Sequence, residues 1–468
     1  MTKPNLVFVF ADQLRAQALG YAGDPNVETP NIDRLAAQSV DFTNAVSGHP
    51  VCCPYRASFL TGKYPLGHGL FVNDVPIGRE HRSIAQVLSG AGYDTAYIGK
   101  WHVYGSPDGA YGRRGARIPK EDRLGFEYWR AFECCHNYME SWYFEGDDQE
   151  RKQWEGYDAV AQTADACTYL RGRSSEDDPF LLVLSWGTPH DPYKLMPQEY
   201  LNRFADREIE LRPNVPAECA DQARENLRGY YAHTSAIDDC VGELLSTLEE
   251  NGLAQNTIFV FTSDHGDMHR SQGLIAKHVP WDESIRVPFL LRWPETLGGE
   301  RRELSTPLDA PDLMPTLLGL CGVESPSEVE GRDFSPEIRG EVAPDPDAAA
   351  FLNFPVPYGM ILNQGLPEYR GVRTARYTYV RSPKGLNLLY DNEADPYQMT
   401  NLFGRPECRD MQEHLEAKLQ EFLTELGDEF LPGEVYLEEF GYTHYKEAQG
   451  PGGRRANPWR DWLLAQER

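Results

Sequence analysis

Five short apolar runs, rich in β-branched and aromatic residues, punctuate this chain at residues 6–10, 95–98, 180–186, 257–262 and 287–291. They are largely unbroken by polar residues, so each reads as a strand covered on both faces. Longer helical patterns lie between them. Thr29-Pro30 opens one, with threonine at the cap and proline at the first helical position. Residues 83–88 form another, closed by Gly90, and residues 221–251 form a long one that ends at Gly252. This alternation predicts an α/β domain whose mostly parallel mixed sheet is sandwiched by helices. It also places any chemistry beyond the carboxyl ends of the strands.

At 468 residues the chain exceeds one ordinary core, which predicts two domains. The Pro- and Asp-rich stretch at 341–347 marks a change of texture. After it, residues 371–380 alternate, 388–390 form a short apolar run, Asp395-Pro396 marks a turn and 411–426 are helical. The expected organisation is a catalytic domain over residues 1–365 and a smaller C-terminal α+β domain with an antiparallel sheet over residues 366–468. Trp459 and Trp462 are candidate anchors for the tail.

The formal net charge is -27. That argues against nucleic acid and anionic membrane surfaces as partners. It also means that an anionic substrate needs a pocket of clustered cations. No apolar run approaches the roughly 20 residues that span a bilayer. The opening apolar stretch is short, and Asp12 and Gln13 interrupt it where a signal cleavage site would be sought. Together with an odd number of cysteines, nine, this predicts a cytoplasmic protein with mostly free thiols.

The chemistry-bearing residues fall where such a fold collects them. Asp12-Gln13 ends the first strand, and Asp264-His265 follows the 257–262 strand. Together they offer two carboxylates, an amide oxygen and an imidazole, a workable set for a divalent ion. The alternative is that the aspartates cap strand ends and His265 packs in a loop. Cys52-Cys53-Pro54-Tyr55-Arg56 has the form C-x-P-x-R and continues to Thr61-Gly62-Lys63. Pro54 favours a helix starting there, which puts Cys52 near the positive end of a helix dipole. Lys100 and His102 follow the 95–98 strand, His190 follows the 180–186 strand, and Lys277 lies just downstream of Asp264. Any one of these in a loop would ordinarily be solvated. Their recurrence beside the metal motif points to an anion pocket.

The C-x-P-x-R motif resembles the signature of type I sulfatases, the formylglycine-dependent branch of the alkaline-phosphatase superfamily. Residues 29–35, Tyr64-Pro65, Arg286-Val287-Pro288, residues 312–317, Leu389-Tyr390-Asp391 and Asn401-Leu402 are similar to other segments of that branch. The resemblance implies that Cys52 is oxidised to formylglycine by a formylglycine-generating enzyme. It implies that Asp12, Gln13, residue 52, Asp264 and His265 hold the metal, and that Arg56 stabilises the hydrated aldehyde. Lys100, His102, His190 and Lys277 would bind sulfate and move protons. The implied mechanism is in-line attack on sulfur by one hydroxyl of the hydrated aldehyde, with His190 or Lys277 protonating the leaving alcohol. Deprotonation of the second hydroxyl by a neighbour such as His102 then expels sulfate.

Two departures stand out. Tyr55 occupies the position of the usual serine. Gln13 and His265 replace one carboxylate and the amide of many sulfatases, similar to phosphonate monoester hydrolases and choline sulfatases. Calcium is the expected ion, with manganese next because of the imidazole. The expected activity is hydrolysis of an organic sulfate ester, such as a sugar sulfate. The alternatives are phosphonate monoester or phosphodiester hydrolysis with the same formylglycine, and a catalytically silent protein that binds sulfated ligands. Asn73 and Asp74 are candidates for hydrogen bonds to sugar hydroxyls, and His136 and Trp142 for ring contacts.

Overall fold

The computed structural model describes residues 3–105, 114–358 and 365–442. Trp459 and Trp462 lie outside them. Ten strands form one mixed sheet: β1 (Asn5–Asp12), β2 (Val40–Phe42), β3 (Asp94–Lys100), β4 (Tyr128–Phe132), β5 (Trp142–Glu145), β6 (Lys152–Gln153), β7 (Phe180–Pro189), β8 (Thr257–Ser263), β9 (Phe289–Arg292) and β10 (Arg302–Leu304). Their spatial order is β10-β2-β9-β8-β1-β7-β3-β4-β5-β6. The central strands β8, β1, β7, β3 and β4 are parallel. Their carboxyl ends therefore share one edge.

Both faces of this sheet are buried, as the unbroken apolar runs require. Leu6, Phe8 and Phe10 pack on one side with Phe59 from the helix Cys52–Thr61, and Phe8 stacks on Phe59 with ring centroids 4.2 Å apart. Val7, Val9 and Ala11 face the other side, against Ala166 and Leu170 of helix Asp158–Arg171 and Ile237, Val241 and Leu244 of helix Ala220–Glu250. The two-residue period of β1 thus feeds two separate cores.

Differences from the sequence expectation have local causes. The run expected at 287–291 becomes a strand only from Phe289, because Val287 donates its N–H to Ala45 outside the ladder and Pro288 has none. That strand is antiparallel to β8. Thr29 occupies the cap of helix Pro30–Ala36, but its hydroxyl donates to the Asp33 carboxylate at 2.8 Å instead of accepting a helix N–H. Asp238 from the long helix takes the free amides of Asn31 and Ile32. Ser83 does cap its helix, Ile84–Gly90, through a reciprocal box with Gln86.

A second sheet contains β11 (Ala349–Phe354), β12 (Tyr369–Thr374), β13 (Tyr377–Arg381) and β14 (Leu388–Asp391) in that order, all antiparallel. Its first strand precedes residue 365. Helix Arg409–Glu425 covers one face, placing Leu415, Leu419, Phe422 and Leu423 against Phe351, Val372, Tyr379 and Leu389. Spacings of four, seven and eight residues make that one helical stripe. No helix among the described residues is long and apolar enough to cross a membrane.

Candidate active site

Four neighbouring strands and one helix deliver the site. Asp12 ends β1, Lys100 ends β3, His190 follows β7 and Asp264 follows β8. Cys52 is the first residue of helix Cys52–Thr61, whose capping position is the extended Val51. Asp12, Lys100, Cys52, Asp264 and His265 are all 2% exposed or less.

The Cys52 sulfur lies 3.2 Å from His265 Nε2, 3.6 Å from Lys277 Nζ and 3.8 Å from Asp12 Oδ1. One ligand atom from each of Asp12, Cys52, Asp264 and His265 falls within 4.8 Å of all the others. His265 Nδ1 sits 3.1 Å from the Gly266 carbonyl, so Nδ1–H donates there and the Nε2 lone pair faces the cluster. Burial and the Asp12 charge push the Asp264 carboxyl above the usual carboxylate range. Burial also opposes ionisation of Asp12, but Lys100 and further cations hold it well below that range. Two buried carboxylates crowding one imidazole and one sulfur fit a divalent cation, whose charge offsets their mutual repulsion.

Cations surround this cluster. Lys100 Nζ donates to Asp12 Oδ2 at 2.6 Å. Arg56 donates to Asp12 Oδ2 and Asp264 Oδ2, each at 3.2 Å, and to the Ser185 hydroxyl and Lys100 carbonyl. Its guanidinium thus clamps both carboxylates and ties them to β7 and β3. Burial and Asp12 would raise the Cys52 thiol, yet Lys277, Lys100 and His265 outweigh them and hold it well below its usual value. The helix start adds a favourable dipole.

Gln13 adopts a left-handed backbone, φ 74°, and its amide orientation follows from its partners. Oε1 accepts from Lys277 Nζ at 2.7 Å, and Nε2 donates to Asp267 Oδ2 at 2.5 Å. Asp267 also accepts from the Tyr193 hydroxyl at 2.6 Å. Asp267, Tyr193 and Ser185 carry no sequence signal beyond nearness to Asp264, His190 and the end of β7.

The outlying candidates divide. His190 Nδ1 donates to its neighbour's carbonyl at 2.9 Å, and its ring stacks on His136 at 4.4 Å. His136 therefore reaches the site. His102 lies 3.6 Å from Asp74. The Asn73 amide oxygen accepts the free N–H of Cys53 at 3.1 Å, so it serves the start of helix Cys52–Thr61. Trp142 sits in β5, two strands out from β3 toward the sheet edge, with the Arg151 guanidinium 4.6 Å above its ring.

The family model described as Sulfatase matches residues 4–323, the span that contains every group just described. The chain belongs to the sulfatase family. A second model, N-sulphoglucosamine sulphohydrolase, C-terminal, matches residues 271–425 of this sulfatase. An ulvan-active sulfatase of Formosa agariphila is 45% identical over 450 residues, 95% of this chain and 86% of the relative. An endo-4-O-sulfatase of Bacteroides thetaiotaomicron is 33% identical, over 94% of this chain and 95% of its own. A solved chain described under the metabolism of multiple glycosaminoglycans by Bacteroides thetaiotaomicron is 30% identical with a TM-score of 0.82, covering 96% of this sulfatase and 100% of the solved chain.

Proposed function

We propose that this sulfatase cleaves a sulfate ester carried on a carbohydrate, with residue 52 as the nucleophile after oxidation of Cys52 to formylglycine. The carrying observation is the position of Cys52 at a helix start, between a buried two-carboxylate, one-imidazole cluster and the ammonium groups of Lys100 and Lys277. The sugar class rests on the ulvan-active and endo-4-O-sulfatase relatives.

Asp12, Gln13, Asp264, His265 and residue 52 would hold a divalent ion, calcium first and manganese next because of the imidazole. That ion would supply Lewis acidity toward sulfate oxygens and toward the attacking hydroxyl. As formylglycine, residue 52 would supply one hydroxyl for attack and a second for release of sulfate. Lys100 and Lys277 bind the equatorial sulfate oxygens and neutralise the charge that grows there. Arg56 fixes the two carboxylates in place. With its Nδ1–H committed to a carbonyl, His190 has Nε2 as its one atom for proton exchange, and His190 or Lys277 protonates the leaving alcohol. His102 takes the proton that lets sulfate depart.

The test is to co-express the chain with a formylglycine-generating enzyme and measure both the Cys52 peptide mass and sulfate release from sulfated oligosaccharides. An aldehyde at residue 52 with sulfate release supports the reading. Aldehyde without sulfate release, but with turnover of an aryl phosphonate monoester, replaces it with phosphonate hydrolysis. An unmodified thiol under these conditions, with Tyr55 at the motif, overturns the nucleophile assignment.

A further inference from the structure

Asp74 stands between a partly exposed arginine and a buried imidazole. Its carboxylate accepts two hydrogen bonds from Arg114, Nε to Oδ1 at 2.9 Å and Nη2 to Oδ2 at 2.8 Å. The same Oδ1 lies 3.6 Å from His102 Nε2. Asp74 and His102 are buried, at 6% and 2% exposed. Both have left-handed backbones, φ 64° for Asp74 and φ 55° for His102. Non-glycine residues hold that conformation at a cost, and such strain gathers at functional sites.

Two backbone contacts tie these residues to the site. The Asp74 N–H donates to the Cys53 sulfur at 3.4 Å, and the His102 N–H donates to the Glu133 carbonyl at 2.9 Å. The ring of His102 is thus held between the nucleophile helix, the loop at Asp74 and the segment after β4. Arg114 engages both oxygens of Asp74 in a fork, and the remaining lone pair on Oδ1 is available to the imidazole.

We propose that Asp74, clamped by Arg114, is a positioning residue that orients the His102 ring and stabilises a proton on it, and is not a contact to the sugar. This rests on the role given to His102 above. The charged and titratable groups around His102 are Cys53 on the nucleophile helix, Asp74, Lys100 on its own strand end, and Glu133 and Cys134 beyond β4. Asp74 is itself held well below the carboxylate range, against burial, by the nearby His102 ring and by hydrogen bonds from Arg114.

The experiment has two arms. In the first, carbon-13 histidine-labelled Cys52→Ala protein is titrated by NMR, with the His102 signal assigned by its loss in His102→Gln. Asp74→Asn moves the His102 midpoint to lower pH by about one unit, because an anion is removed. Arg114→Gln moves it to higher pH, because a cation behind the carboxylate is removed. In the second arm, Asp74→Asn in the mature enzyme lowers kcat at least about tenfold. KM stays within about twofold, and Asp74→Glu recovers part of the loss. A His102 midpoint that ignores Asp74→Asn overturns the proposal, as does a raised KM at constant kcat, which would make Asp74 a substrate contact. Absence of turnover in the parent enzyme defeats the functional reading alone, since the NMR arm still decides the positioning role.

Discussion

Two regions of this molecule bury charge, and they do so differently. At the small sheet, Arg370 is fully buried and meets Asp428 through a two-point fork, which Tyr436 and Phe430 complete by donating to Oδ1. Each nitrogen of that guanidinium has a partner, Nη1 donating to the Tyr369 carbonyl. At the carboxyl ends of β8, β1, β7 and β3, Asp12 and Asp264 share Arg56, Asp12 also holds Lys100, and His265 faces both acids and Cys52. That cluster is open, with more donors and acceptors converging than pair among themselves. A closed pair resists change. An open cluster keeps an unspent field, which is what binding an ion and a sulfate requires.

If the open cluster is chemical and the closed pair structural, mutations must separate activity from stability. Cys52→Ala is expected to remove more than about a thousandfold of sulfate-releasing activity, because it deletes the proposed nucleophile. Its thermal unfolding should stay near that of the parent, and a large loss of stability would show the cluster to be structural. Asp264→Asn, or treatment with EDTA, is expected to remove the bound ion and lower turnover by roughly a hundredfold or more. Elemental analysis per chain checks the first part. Retained activity in ion-free protein would sink the metal assignment.

Asp428→Ala inverts the pattern. It leaves the Arg370 guanidinium buried without an anion, and arginine cannot shed its charge. The expected loss is about 3–5 kcal/mol by denaturant unfolding. The kcat of the remaining folded enzyme should change less than about twofold.

The smallest effect lies where the two regions meet. Asp309 accepts backbone N–H bonds from Gly48 and Ala310, and burial with Asp312 beside it pushes its carboxyl up to about 8. A carboxyl raised in the folded state gives stability that is present below its unfolded value near 3.9 and lost as pH rises toward 8. Asp309→Asn has no such titration. The melting temperature of the variant relative to the parent should therefore climb between pH 5 and pH 8, and a flat difference would refute the assignment.

The strands of the central sheet were legible because their runs were unbroken. β1, β3, β7 and β8 all contain the expected segments. The short β2, β5, β6 and β10 were not, since two to four residues carry no periodic signal. Of the site, the groups at strand ends could be located by position along the chain. The partnerships could not. Nothing in the spacing of Asn73 says that its amide serves the helix start, or that Gln13 bridges Lys277 and Asp267. His136 and Trp142 looked equivalent as ring donors, yet only His136 stacks on His190.

The sequence by itself determined the doubly covered sheet and the placing of Asp12, Lys100, His190 and Asp264 at strand ends, because hydrophobic period and chain order are local properties. The C-x-P-x-R motif likewise marked Cys52 from five consecutive residues. Only the tertiary structure decided which charges share an ion-sized space and which close into pairs. Those distances join residues more than two hundred positions apart, such as Cys52 with His265 and Gln13 with Lys277. Parallel strand order and burial set them, and neither is written in any single segment.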